Sequence, residues 1–358
     1  MMPAVKHLLL LTWCALAAVW TAAGQAPTGE PAGRWQSPSP DGRPWKHAGT
    51  GLSFPQYLGD YRLAGEFAYA EGSGVFVRYE NLDERARADI FLFPVGSPLP
   101  SMEDQQRRIL TEMDGVVGDM EAMVRAGRYK NLDTGELVGG ELELWQKQSL
   151  PIATRQLTAT RLGVAKEGAV EAIIKLWVGI TLVDNHVLTI RHMRPADSGE
   201  SGEKSMKGFV GLIFQLIKDP SLRGHLQELI AAYLQNPLSE DGEQAAAAVL
   251  AYLNQAPYYP INIPEDPVAG WLEHAEKQAP GTQEHLLRAF MLGSAKVAFE
   301  EGDAFACLKA GGRQFATVYR ELARQFPQIT LPEADAFVAA AEKGLGAEWL
   351  KDRSFLSQ

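Results

Sequence analysis

Two runs of residues, Ala172–Val183 and His186–Met193, meet at Asp184-Asn185 and set the pattern from which the first half of the chain is read. Asp and Asn tolerate the left-handed backbone conformations of a two-residue hairpin turn. Such a turn places Val183 opposite His186, Thr181 opposite Leu188, Gly179 opposite Ile190 and Trp177 opposite His192. Side chains alternate along a strand, so one face carries Ile174, Leu176, Val178, Ile180 and Leu182 with Val187 and Met193. The other carries Ile173, Trp177, Leu188 and Ile190, and the pattern predicts a hairpin covered on both faces. Gly179 leaves room there for the Trp177 indole or for an approaching helix.

Strand patterns precede this hairpin at Leu52–Pro55, Tyr61–Tyr69, Val75–Glu80 and Ala88–Phe93, then at Glu141–Gln148 and Thr154–Leu162. Turns are expected at Glu71-Gly72-Ser73-Gly74 and Lys166-Glu167-Gly168. Between the two sets, Ile109, Met113, Val116, Val117, Met120 and Val124 recur at helical spacing. Ser101 and Asp104 form a capping box for that helix, and Gly127 suits its end. A second helix, Glu203–Ile217, closes the unit. Strands with one helix inserted and one appended indicate an antiparallel sheet flanked by helices.

From Asp219-Pro220 onward the alternation gives way to helical spacing, and proline discourages continuation of the preceding helix. Helices are expected at Ser221–Leu234, Gln244–Leu253, Trp271–Lys277, Thr282–Phe299, Phe305–Phe326, Asp335–Leu345 and Ala347–Phe355, with an extended bridge at Tyr258–Pro264. The fold class is α+β: an antiparallel-sheet domain over 52–218, then an all-helical domain over 219–358.

The N-terminus changes the picture. Lys6, the apolar run Leu8–Trp20 and the small residues Thr21–Gly24 have the layout of a secretory signal peptide, residues 1–23. The apolar run is too short for a membrane span, which takes about 20 residues. Residues 24–51, with prolines at 27, 31, 38, 40 and 44, read as a linker. Trp35 and Trp45 are unusual in a solvated tether and are expected to dock, on the first domain or on a partner. Removal of the leader takes Cys14 and leaves Cys307 alone, so an internal disulfide is excluded and the core must hold the fold. The formal charge of −10 gives no electrostatic reason to bind nucleic acid or anionic lipid.

The element order of residues 50–218 resembles the PsbP-like fold of photosystem extrinsic proteins and their bacterial relatives. That order is early strands, a helix, a run of antiparallel strands and a closing helix. The resemblance carries no functional residue across; what it implies is an assembly factor or binding module. Leu286–Phe326, with Gly302-Asp303-Ala304 at its turn, resembles a single tetratricopeptide hairpin, from which Gly311-Gly312 departs.

Candidate chemistry is sparse. His186 and His192 share a strand face but stand about 20 Å apart, too far for one metal. His192, opposite Trp177, reads as a sheet-surface residue. His225 with Glu228 is a helical-surface pair, and Glu273 is only the chain neighbour of His274. The glycines around Ser73 and Ser201 lack nucleophile-elbow spacing. Cys307 lies beside an apolar helical stripe, where it behaves as a small hydrophobe. Glu141, Glu143 and Glu171 read as exposed strand residues. No catalytic, cofactor-binding or metal-ligating residue is assigned, and no cofactor. The expectation is an exported, periplasmic or extracellular, non-catalytic envelope protein that binds a partner through its sheet or helical domain. The alternative is an exported hydrolase-like enzyme whose site is assembled from scattered residues at the domain junction.

Overall fold

The computed structural model describes residues 33–351 except 41–42, 71–72, 100, 145–147, 166–167, 264–267, 301–302 and 344. The leader, the linker up to residue 32, parts of the turns at 71–74, 166–168 and 302–304, Pro264 and Phe355 lie outside the described residues. The chain divides into two compact units between Ile217 and Lys218.

The first unit is built on one ten-stranded antiparallel sheet. Its strands are β1 (Gly33–Gln36), β4 (Tyr57–Leu58), β5 (Tyr61–Tyr69), β6 (Val75–Asn81), β7 (Ala86–Pro94), β8 (Tyr129–Asp133), β9 (Leu137–Glu143), β10 (Ser149–Ala165), β11 (Gly168–Val183) and β12 (His186–Pro195). The order is β1-β5-β6-β7-β12-β11-β10-β8, with β4 beside β5 and β9 beside β10. β2 (Trp45–Lys46) and β3 (Ser53–Phe54) form a separate two-stranded ribbon. Part of the stretch read as linker is therefore strand: Trp35 sits opposite Phe67, and the ribbon carries Trp45 onto Phe54. Trp45 is half-buried on Phe54 and Trp35, though 42% exposed, packs against Phe76, and these contacts with the backbone pairing offset the ordering entropy that the proline-rich composition argued against.

The β11–β12 hairpin has the register expected from its turn, from Val183 opposite His186 to Trp177 opposite His192. Asp184 and Asn185 both have positive φ, 43° and 59°, as a type I′ turn requires. On one face, helix α1 (Met102–Arg125) covers β8, β10 and β11, burying Met113, Val116 and Met120 against Leu157, Leu176, Val178 and Ile180. Ser101 caps α1 by accepting a hydrogen bond from the Asp104 N–H at 3.1 Å.

Helix α2 (Gly199–Gln235) covers the other face, over different strands. Its Phe209 lies against Tyr61 of β5, Tyr79 of β6 and His192 of β12. Leu188 and Ile190 are buried on that face, but Ile173 is 54% exposed and Trp177 only half-buried. The hairpin is thus covered on both faces along β12, whereas on β11 the second face is closed at Thr181 and Val183 and opens towards Trp177 and Ile173. Gly179 is filled as its lack of a side chain suggests: an added Cβ would stand 2.4 Å from the Trp177 ring.

The helical unit contains the remainder of α2, then α3 (Glu240–Gln255), α4 (Gly270–Gln278), α5 (Thr282–Phe299), α6 (Ala304–Gln325), α7 (Pro332–Glu342) and α8 (Gly346–Lys351). The expected break at Asp219-Pro220 does not occur, and Pro220 lies inside α2. An interior proline removes a helical hydrogen bond and costs about 3 kcal/mol. Ser221 Oγ donates to the Lys218 carbonyl at 2.7 Å here, and α2 buries Leu226, Ile230 and Tyr233 against α3 and α5 just beyond. Helices α5 and α6 pack as a hairpin through their backbones. A Cβ added to Gly293 would lie 2.7 Å from the Ala310 carbonyl oxygen, and one on Gly311 would lie 2.8 Å from that of Phe290. That close approach accounts for Gly293 inside α5 and Gly311 inside α6.

Candidate functional site

The β1 end of the sheet carries a stripe of aromatic rings on the face it shares with α1. Register puts Trp35, Phe67, Phe76 and Phe91 side by side across β1, β5, β6 and β7, with Tyr69 and Phe93 one step along. Ring centroids are 5.4 Å apart for Phe67–Phe76, 5.2 Å for Phe76–Phe91 and 5.5 Å for Tyr69–Phe93. Phe76 and Phe91 are buried beneath their neighbours, Phe67, Tyr69 and Phe93 are half-buried, and Trp35 is 42% exposed.

Charges are fixed beside these rings. Arg78 donates to both Asp89 oxygens, at 2.7 and 3.2 Å, and Arg87 reaches Asp89 at 3.2 Å. The Arg78 guanidinium also lies over Trp35 and Phe76, and that of Arg191 lies over Phe91. Burial alone would push the Asp89 carboxyl up, but Arg87 and Arg78 outweigh it and hold the group below the usual carboxylate range. Arg191 pairs with Asp119 of α1 at 3.4 Å. The result is a partly open aromatic platform beside which Arg78, Asp89 and Arg191 are paired within the unit. Such a surface suits contact with another apolar surface rather than proton transfer.

The buried polar groups elsewhere are knitted into the fold. His192, read from its neighbour Trp177 as a surface residue, is wholly buried, because α2 closes over that part of β12. Asn81 Nδ2 donates to Ser205 Oγ, Ser205 donates to the Tyr61 hydroxyl, and that hydroxyl is hydrogen-bonded to His192 Nε2 at 2.7 Å. Burial, then the nearby Arg194, lowers the His192 pKa to about 3, so the ring is neutral. In the helical unit, Asp219 accepts from Tyr252, from Tyr259 at 2.5 Å and from Arg223 at 2.7 Å. Burial and the Asp219 charge raise both tyrosines, which stay protonated.

The residues weighed from sequence are dispersed. Cys307 is buried and its thiol is pushed up to about 12, chiefly by burial, which leaves it inert as a nucleophile. Glu171 pairs with Lys130 at 2.5 Å, Glu141 accepts from Ser149, and Glu84 accepts from Ser201. His225 lies 3.6 Å from Glu228. One contact was missed: His47 packs edge-on against His186, with ring centroids 5.0 Å apart. The linker reading of 24–51 hid it, although Trp45 was a signal that this stretch docks. The Asp219 cluster was hidden by the boundary reading at Asp219-Pro220.

No protein-family model matches the chain, and no curated protein matches it. Among the described residues no group of three or more His, Cys, Asp or Glu is placed to hold a metal ion, and no helix is long and apolar enough to cross a membrane.

Proposed function

We propose that this chain is an exported, non-catalytic binding module, PsbP-like in its sheet unit, that engages a protein partner through the aromatic stripe. The observation that carries the reading is the stripe itself: contiguous rings, Trp35 outermost, beside the internally paired Arg78, Asp89 and Arg191. Aromatic side chains and arginine are the groups that dominate protein–protein contact energies. The inert state of Cys307 and the neutral, enclosed state of His192 support a binding rather than a catalytic role. Export rests on the sequence alone, on Lys6, Leu8–Trp20 and the small residues after them.

Cross-linking in the native envelope fraction tests both parts. The wild-type chain should form a specific adduct that the double variant Trp35→Ser, Tyr69→Ser loses while its circular dichroism and cooperative melt still show a folded chain. An adduct equally strong in the variant removes the stripe from the proposal, and no adduct in either removes the binding reading. N-terminal sequencing of the same material should start near Gly24; an intact Met1 start overturns cleavage of the leader.

A further inference from the structure

We propose that β9 is the edge along which two copies of the chain join, antiparallel, into one continuous sheet. Among the described residues β9 pairs only with β10, so its other side offers a row of backbone groups. Edge strands are commonly guarded by charged side chains, lysine above all, and by proline, bulges or brevity; the charges on β9 are Glu141 and Glu143, both in its second half. Leu137-Val138-Gly139-Gly140-Glu141-Leu142-Glu143 has neither proline nor lysine, and its pairing with β10 runs without a shift from Leu137 to Glu143. Leu137 and Val138 are 37% and 55% exposed, and nothing lies within 4 Å of where a Cβ on Gly139 would be. By contrast, β1 at the opposite end of the sheet has only four residues.

The hydrogen-bonding phase of β9 decides which groups are on offer. The Leu144 N–H donates to the Gln148 carbonyl at 2.7 Å, and these residues stand opposite each other in the register. Bonded and non-bonded positions alternate in an antiparallel pair. Leu142, Gly140 and Val138 therefore spend their N–H and C=O on β10, while Leu137, Gly139, Glu141 and Glu143 turn theirs outward.

The sequence complements itself in one register. With the two-fold axis at Gly140, Val138 lies opposite Leu142 of the second copy, Leu137 opposite Glu143, and Gly139 opposite Glu141. All outward-facing backbone groups then meet outward-facing ones. An axis at Glu141 would set two carboxylates directly against each other, which is unfavourable. An axis at Gly139 would place Leu142 opposite Glu136 and Val138 opposite glycine, losing the apolar pair. With the axis at Gly140 the two Glu141 side chains are diagonal neighbours about 7–8 Å apart, just inside the Debye length of about 8 Å at physiological salt, so their repulsion is only partly screened and the dimer should tighten as salt rises. One strand pair is a small interface, so micromolar dimerisation is expected.

Sedimentation of the full chain across micromolar to submillimolar concentrations tests the proposal. A reversible monomer–dimer equilibrium is expected. Gly139→Pro removes only an outward N–H and leaves the β10 ladder intact, so it should fold normally and remain monomeric throughout. Val138→Lys, which keeps every backbone donor, should weaken the dimer at least tenfold. Under mild oxidation Gly140→Cys should yield a cross-linked dimer well above the wild-type level set by Cys14 and Cys307, while Glu143→Cys should not. A wild-type chain that stays monomeric, or a dimer that survives both Gly139→Pro and Val138→Lys, overturns the proposal.

Discussion

The imidazole of His192 has exchanged water for Phe209, Tyr61 and the strands around it, and that exchange makes stability depend on pH. An unfolded histidine takes up its proton near 6.5, whereas this one stays neutral down to about 3. Falling pH therefore favours the unfolded chain: the contribution is complete above 6.5 and is lost progressively towards 3. One differential proton is worth about 1.4 kcal/mol per pH unit. Chemical denaturation at pH about 6.5 and about 5 should differ by on the order of 2 kcal/mol from this residue, a difference that His192→Gln should remove. Trp177 gives a second residue-level expectation. A fully buried Trp→Ala change costs about 3–5 kcal/mol. Trp177 is half-buried over Gly179, so about 1–3 kcal/mol is expected; denaturant melts giving a loss below about 0.5 kcal/mol would make the indole a free surface group.

Among the elements, α2 is anchored by Asp219 to Tyr252 of α3 and to Tyr259 beyond it. Asp219→Ala removes the buried acceptor shared by Arg223, Tyr252 and Tyr259 and should cost about 3–5 kcal/mol. Asp219→Asn, which still accepts from the tyrosines, should cost less; equal losses in thermal melts would show that the Arg223 charge pair alone matters. The contrast between this cluster and the central hairpin shows what the sequence discloses. Asp184-Asn185 determines register locally, and α1 announces itself through Ser101 and a stripe of apolar residues at helical spacing. By contrast β1, β2, β4 and β8 have two to five residues each, too few for a period to register. Pro220 carries a strong local signal that packing on both sides of it overrides. The aromatic stripe was legible only as separate strands and one misplaced tryptophan. Its assembly depends on β1, β5, β6 and β7 becoming neighbours, and no local pattern encodes that.

For the whole molecule, the two units have separate cores, and their responses to damage should separate too. Asp89→Ala breaks a buried carboxylate–arginine cluster in the sheet unit, whereas Phe315→Ala opens a cavity among Trp271, Phe290 and Phe337 in the helical one. Hydrogen exchange should rise mainly before residue 218 in the first variant and mainly after it in the second. Exchange that rises throughout the chain in both would mean that the units unfold as one.

The pairing of β7 with β12 at the middle of the sheet has a kinetic consequence. β5, β6 and β7 follow one another in sequence, as do β10, β11 and β12, so each set can zip up through short turns. The seam between the sets joins Pro94 to His186 across the whole of α1 and β8–β11. Closing a loop of about 90 residues costs on the order of 4 kcal/mol in chain entropy before any seam contact repays it. The search for that seam should therefore limit the folding rate, with each three-stranded set able to form early on its own. In stopped-flow refolding, Ile90→Val at the seam should slow folding more than it speeds unfolding. Leu63→Ala at the outer strand should do the reverse.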